Sequence, residues 1–377
     1  IGKVSIVRVF SGTLTPDTIV HVSGHFTSSS GHADHDVDER TGHIGLALGR
    51  EVSDIPQAIA GSIVAVGKLS RAETGDTLSA PSMPLLMDPW LMPTPLLPIA
   101  ITPHSANDDD KLGTALARLV AEDPTLRIEH DTGQLVLWTL GEAHADLVLD
   151  RLRNRYSVAV DSVTVKASLR ETFAGQATGH GKLAKQSGGH GQFAVVDLHV
   201  EPLEPGSGFE FVDKVVGGAV PRNFIASVEK GVRAQMDHGL VAGYPVVDIR
   251  VTLVDGKAHS VDSSDMAFQT AGGLALKDAA SKVAITLLEP MAVVTVTVPD
   301  EHVGAVMADL SSRRGRVTGS TNLADGRAQV IADVPESELS RYAIDIRSIT
   351  HGTGEFERER GAFAPLPAHL AATYATA

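Results

Sequence analysis

The chain has 377 residues, 43% of them hydrophobic and 21% charged, with a formal net charge of −14. Its length suits roughly two to four domains. The lack of cysteine excludes a disulfide framework, a thiolate zinc site and a cysteine nucleophile, and fits a reducing, cytoplasmic setting. The acidity excludes a binder that coats nucleic acid through many Lys and Arg. No apolar run approaches the ~20 residues of a membrane span, so no membrane partner is expected. The charge is uneven: residues 172–288 hold 10 Lys and Arg against 12 Asp and Glu, the other residues 22 against 34. An acidic body keeps polyanions off all but a chosen surface. The chain opens in a strand-like run, Ile1 to Phe10, with no initiator Met, and reads as a fragment.

Residues 1–81 read as all-β. Short apolar runs, Val4 to Phe10, Ile19 to Val22, Ile44 to Leu48 and Ile63 to Val66, are divided by Gly, Pro, Asp and Ser turns, the pattern of a small barrel. The interruption at 23–43, SGHFTSSSGHADHDVDERTGH, reads as a solvated polar loop. His32 and His35, beside Asp34 and Asp36, have metal-ligand spacing, but no ordered element is expected to hold them, and no metal is expected. Residues 82–95, with Pro84, Pro89, Pro93 and Pro95, read as a linker, and Trp90 within it is expected to pack against a neighbouring domain.

Residues 96–171 alternate strand and helix. Leu112, Leu116, Leu119 and Val120 stripe one helix, and Ala145, Val148, Leu149, Leu152 and Tyr156 a second. Strand-like runs lie at Leu96 to Ile101, Leu126 to Ile128, Leu135 to Trp138 and Val158 to Val165, around the turn Asp131-Thr132-Gly133. That is βαββαβ, a ferredoxin-like unit. Residues 289–377 repeat it. Val303, Val306, Met307 and Leu310 stripe one helix, Leu339, Tyr342, Ala343 and Ile346 the other, and Ala292 to Val298 starts the sheet. Arg313, Arg314 and Arg316 cluster after the first of these helices. They read either as cations neutralising a helix C-terminus or as an RNA contact.

Between these units, residues 172–288 read as a mixed α/β domain with two notable loops. In KLAKQSGGHGQF (182–193), two lysines and three glycines surround His190 without an acid, which suits a hairpin tip that brings backbone N–H groups to a ligand. A second strand, Val246 to Val254, is expected to stop at the turn pair Asp255-Gly256. An exposed loop then carries Lys257 and His259, and Asp262, Ser263 or Ser264 caps a helix beginning near Asp265. His259, Asp262 and Ser263 are the residue types of a hydrolytic triad, but loop neighbours rarely converge as one, and no catalytic residue is assigned.

KLAKQSGGHGQF, EPGSGFEF (204–211), VVGGAVPRNF (215–224), YPVVDIRVTLVDG (244–256) and HSVDSSDMAF (259–268), in that order, resemble the fourth domain of bacterial elongation factor G. GKVSIVRVFSGTL (2–14) and AGSIVAVGKL (60–69) resemble the barrel that follows the nucleotide domain of translational GTPases. ALARLVAEDPTLRIEHDTGQLVLWTLGEAHADLVLDRLRNRY resembles the third domain, and LLEPMAVVTVTVPDEHVGAVMADLSSRRGRV the last. The resemblance implies a multidomain α+β chain: barrel 1–81, linker 82–95, ferredoxin-like domain 96–171, tip domain 172–288 and second ferredoxin-like domain 289–377. It implies a monomer that binds the ribosome and promotes GTP-driven tRNA–mRNA translocation. Lys182, Lys185, Gln186, Ser187, Gly188, Gly189, His190, Gly191 and Gln192 of one loop would meet RNA at the decoding centre, with Lys257, His259, Asp262, Ser263 and Ser264 of the other. Arg313, Arg314 and Arg316 would meet ribosomal RNA. GTP and Mg²⁺ would belong to a G domain outside this chain. Within it no Lys is followed by Ser or Thr and no Asn by Lys, so the phosphate loop and the guanine motif are both missing and no cofactor is expected. Departures from the family pattern are His190 where Arg is usual, Thr139-Leu140-Gly141-Glu142-Ala143-His144-Ala145 where Gly-Met-Gly-Glu-Leu-His-Leu is usual, and the Ala- and Pro-rich tail after Gly361. They leave a paralogue in ribosome recycling, protection or regulation as the alternative. A small-molecule or metal-binding protein using the His/Asp loop is the alternative of a different class.

Overall fold

Alternation in the first eighty residues becomes three small sheets. In the computed structural model Val4–Arg8, Ile63–Gly67, Ile44–Leu48 and Glu51–Asp54 lie side by side, Thr13–Leu14 pairs with Ala58–Ile59, and Ile19–Gly24 lies between His35–Arg40 and Thr77–Ser79. Val22, Val64, Val66 and Leu69 close the core between them. The structure describes residues 3–24, 35–49, 51–88, 90–131, 133–185 and 191–374. His32 and Asp34 of the polar loop, Pro89, Thr132 and the loop residues Gln186, Ser187, Gly188, Gly189 and His190 lie outside them. The chain divides into two compact units: Ile1–Pro95, Ile101–Glu129 and Leu137–Ser162 form one, and Leu96–Ala100, His130–Val136 and Val163–Ala377 the other.

Two expectations for the first unit need correcting. His35–Arg40 is a strand rather than polar loop, its Val37 opposite the buried Val22. Val37 is the strand's one apolar residue, so no alternation marks it among the surrounding Asp, Glu and His residues. Trp90 is 73% exposed rather than packed on a neighbouring domain, in a stretch with neither helix nor strand. Proline-rich flanks give the ring no element to lie on. Beyond this stretch, Arg127–Asp131, Gln134–Thr139, Leu97–Pro103 and Val160–Val163 form a sheet in that order, with helices Ala106–Glu122 and Glu142–Tyr156. This is the ferredoxin-like order.

In the second unit, the strands Ala177–Lys185, Gln192–Pro202, Ile249–Lys257 and Phe209–Asp213 form one sheet. Phe209–Asp213 and Ile249–Lys257 run parallel, and helix Arg222–His238 makes the crossover such a pair needs. One sheet face buries Val196, Leu198, Val200, Val251 and Leu253 against that helix and helix Asp265–Ala280. Each fully buried residue of this size contributes about 1.5–3 kcal/mol. The second helix lies directly on the hairpin: a Cβ on Gly179 or Gly181 would stand 1.9 or 2.0 Å from the carbonyl oxygens of Ala275 and Ala271.

The expected turn at Asp255-Gly256 is also corrected. The strand runs on through both residues to Lys257, with Asp255 opposite Asp197 and Gly256 opposite Val196. A β-bulge near Val254 absorbs one residue, and the neighbouring strand is long enough to keep pairing. Glycine is required at 256 by close approach: a Cβ there would stand 2.4 Å from the Val195 oxygen.

The last domain orders Arg316–Asn322, Arg327–Pro335, Ile285–Pro299 and Glu355–Pro365, again ferredoxin-like, with helices Val303–Ser312 and Tyr342–Ile349. Its long first strand begins seven residues before the Ala292 expected from sequence. Those early residues pair with Arg170–Phe173 at the base of the tip domain. The tail continues the sheet to Pro365 and ends in helix Ala368–Tyr374, whose Leu370 and Tyr374 pack, with Tyr244, on Leu169, Leu287 and Leu366. Among the described residues no helix is long and apolar enough to cross a membrane.

Gly181→Ala is expected to cost at least about 2 kcal/mol, because its Cβ meets a helix backbone that cannot move aside. Gly113→Ala, in an exposed helix with nothing within 4 Å of the new Cβ, should stabilise by about 0.5–1 kcal/mol. Thermal unfolding of both variants checks the pair; a harmless Gly181→Ala would refute the packing described.

Candidate nucleic-acid interface of the tip domain

The hairpin register brings together residues far apart in sequence. Lys182 stands opposite Val195, and Val195 stands opposite Lys257. In-register neighbours share a sheet face, so Lys182, Val195 and Lys257 form one row across three strands. Both lysines are exposed, and their backbones are two strand spacings, about 10 Å, apart. Neither lysine forms an ion pair with a described residue. This row escapes sequence reasoning, since only strand pairing joins positions 182 and 257. Lys185 lies on the opposite face by alternation, pairs with Gln192, and is exposed as well.

The second loop is stitched to the first. The Gly191 N–H donates to Asp262 Oδ1 at 3.0 Å, and the Phe193 N–H donates to the Asp262 carbonyl at 2.8 Å. Ser263 Oγ donates to the Phe193 carbonyl at 2.7 Å and accepts the His259 N–H at 2.8 Å. His259 Nδ1 lies 3.1 Å from Asp262 Oδ2, with its side chain 52% exposed. Its ring meets that of Phe193 edge-on at 6.1 Å. Ser264 caps the following helix, its Oγ accepting from the Ala267 N–H. Asp262, Ser263 and Ser264 therefore have partners inside the protein, while Lys182, Lys185, Lys257 and His259 face outward. Because Ser263 Oγ meets the His259 backbone and not its ring, the three triad-type residues do not form a triad.

The arginines after helix Val303–Ser312 are differently placed. Arg313 reaches Asp309 and Asp345 at 2.8 and 2.9 Å. Burial works against its charge, but the two carboxylates outweigh burial and hold its pKa above the ordinary value. Arg314, at φ +59°, grips the buried Glu289 with two nitrogens and Glu338 with a third. The Glu289 hydrogen bonds raise its pKa further. Arg316 pairs with Asp333 at 2.9 Å but stays 80% exposed. Two of the three guanidiniums are thus spent on the fold.

Elsewhere on the open sheet face, a hollow of about 460 Å³ is lined by His199, Glu201, Glu210 and Arg250 among others. Arg250 is clamped between Glu201 and Glu210, so its charge is already met. Of the His/Asp loop, Asp36 lies 3.5 Å from His21. Among the described residues no group of three or more His, Asp and Glu side chains gathers as a metal site.

Family models match the chain in order: elongation factor G domain 2 over residues 1–80, domain III over 92–164, domain IV over 166–284 and the elongation factor G C-terminus over 286–374. The elongation factor G-like proteins of Mycobacterium tuberculosis strains CDC 1551 / Oshkosh and ATCC 25618 / H37Rv are each 60% identical over 380 aligned positions. These cover 99% of this chain and 53% of theirs, so the chain spans about half the length of the curated relatives it matches. A crystal structure of a Thermus thermophilus protein matches all of the chain and 55% of its own, with a TM-score of 0.86 and 32% identity. Both stitched loops lie inside the domain IV match.

Arg314→Ala would leave Glu289 buried without its partner and is expected to cost about 3 kcal/mol. Arg316→Ala should stay within about 0.5 kcal/mol. Urea unfolding, with amide exchange followed in strand Arg327–Pro335, checks the contrast; equal losses would show that the two arginines are equivalent.

Proposed function

Because the chain belongs to the elongation factor G family through domains 2, III, IV and the C-terminus, we propose that it is the ribosome-engaging part of a translational GTPase. It acts in the cytoplasm, and its tip domain holds the tRNA–mRNA duplex while the ribosomal subunits move. The observation that carries the reading is the row Lys182, Val195, Lys257, whose two lysines are exposed on either side of the buried Val195, with His259 beside it on a loop fixed by cross-stitches. Flexible lysines suit phosphate, and A-form RNA is recognised by shape and backbone rather than by base edges. Arg316 is the one arginine of its cluster exposed enough to add a ribosomal RNA contact.

GTP and Mg²⁺ would be held by the part of the relatives that lies beyond these four modules. The residues here do not fit them. The helix N-terminus behind the tip, where a phosphate would sit, is capped by Ser264 and carries Asp265 in its first turn. Hydrolysis elsewhere in the full-length protein would supply the drive, and this chain the grip.

A recycling, protective or regulatory role is the second reading, favoured by the altered segment at Thr139–Ala145. There His144 is turned inward, its Nδ1 accepting the Leu140 N–H and its Nε2 lying 3.2 Å from Asp123. Single-turnover tRNA movement and subunit splitting, assayed side by side on the full-length protein, separate the two roles.

Lys182→Ala combined with Lys257→Ala is expected to weaken ribosome binding and to flatten the dependence of log K on log salt by about 2, one for each phosphate no longer neutralised. Melting temperature should hold, since both side chains are exposed. Unchanged affinity and salt slope in a folded variant would remove the tip from the binding surface.

A further inference from the structure

We propose that Asp262 is a positioning residue: its carboxylate fixes the two tip loops to each other and aims His259, without itself meeting RNA. The inference rests on the reading of the tip as an RNA-contacting surface. A carboxylate beside a phosphate-binding row is unfavourable unless its charge is met locally. Here Oδ1 accepts the Gly191 N–H at 3.0 Å, and Oδ2 faces the His259 ring, 3.1 Å from an Nδ1 that also takes the Val261 and Asp262 N–H groups. The side chain is only 24% exposed. Its own carbonyl takes the Phe193 N–H, and Phe193 in turn supports the His259 ring. Asp262 therefore touches Gly191, Phe193 and His259, while Ser263 makes the remaining stitches to Phe193 and His259.

The fit also explains the glycine at 191. A Cβ there would stand 2.9 Å from Asp262 Cγ, so a side chain at 191 would push the carboxylate from its place. Helix capping does not account for Asp262, because Ser264 caps helix Asp265–Ala280. The helix should survive loss of the carboxylate, and what is lost should be the direction of the loops.

The test uses the 377-residue chain, amide exchange at position 191 by NMR, and ribosome affinity. Asp262→Ala and Gly191→Ala attack the junction from its two sides. Each is expected to raise exchange at 191 by about tenfold or more, the worth of a hydrogen bond to a charged group. Each should weaken ribosome binding by a similar factor at unchanged melting temperature. Asp262→Asn retains one acceptor oxygen, so position 191 should stay protected while binding falls by less. Unchanged exchange in Asp262→Ala would overturn the proposal. So would loosened loops with normal binding, if His259→Ala and the double lysine variant do bind more weakly; the tip reading would then stand without the positioning role. If no variant, His259→Ala and the double lysine variant included, alters binding, the tip reading itself fails and the proposal falls with it.

Discussion

The buried carboxylate of Glu171 holds the tip domain to its base. It is 0% exposed, and a charge so placed is tolerable only when hydrogen bonds replace its water. Its two oxygens accept the backbone N–H groups of Leu240, Val241, Ala242 and Tyr244, seventy residues away. Its own backbone exchanges hydrogen bonds with Pro245 and Val247. The loop can wrap the carboxylate because glycine stands at both of its bends, Gly239 at φ +76° and Gly243 at φ +80°. Tyr244 closes the site, its phenol pKa raised by burial and then by Tyr374 and Glu171. The strand bearing Glu171 pairs with the first residues of the long strand Ile285–Pro299. One carboxylate thereby links the tip domain's loop to the sheet of the last domain.

From that base the hairpin extends without a break. Nine residues of Ala177–Lys185 reach about 30 Å, which sets the lysine row well away from the base. Helix Asp265–Ala280 lies against the glycines of the arm with no side chain between. The same helix begins where the second loop ends. Backbone packing therefore sets where the hairpin and the second loop start, and the stitches of Asp262 and Ser263 join them to each other at the tip.

Much of this was legible in the sequence, for physical reasons that differ by element. Helical stripes such as Leu112, Leu116 and Leu119 announced themselves by period, and they are buried as expected. Cap residues ahead of Asp265 marked that helix start, which Ser264 in fact makes. Asp255-Gly256 misled because the pair has turn chemistry, while its glycine is needed instead for close backbone approach. The strand His35–Arg40 was hidden by its charge, since pairing with Ile19–Gly24 holds it rather than its own apolar pattern. The lysine row was illegible in principle: register is a property of two strands and cannot be read from either alone. The partners of Arg313 and Arg314 were hidden likewise, since Asp345, Glu338 and Glu289 arrive from other elements.

The division of labour between the two kinds of cation follows from their chemistry. Arginine's planar fork matches a carboxylate with two nitrogens, so Arg314 can hold a buried Glu289 that a lysine would serve as a point charge. Lysine is compact and strongly hydrated on a flexible stem, and it loses little by remaining in water. The fold spends Arg313 and Arg314 inside the last domain and leaves Lys182, Lys185 and Lys257 at the tip. In a chain of net charge −14, committed cations do not attract RNA, because their fields are cancelled at contact range. An exposed cation without an ion pair keeps its field within a Debye length of about 8 Å. On the reading proposed above, the tip lysines are then the cations of the hairpin left to meet phosphate, whereas Arg313 and Arg314 are held by carboxylates of the last domain.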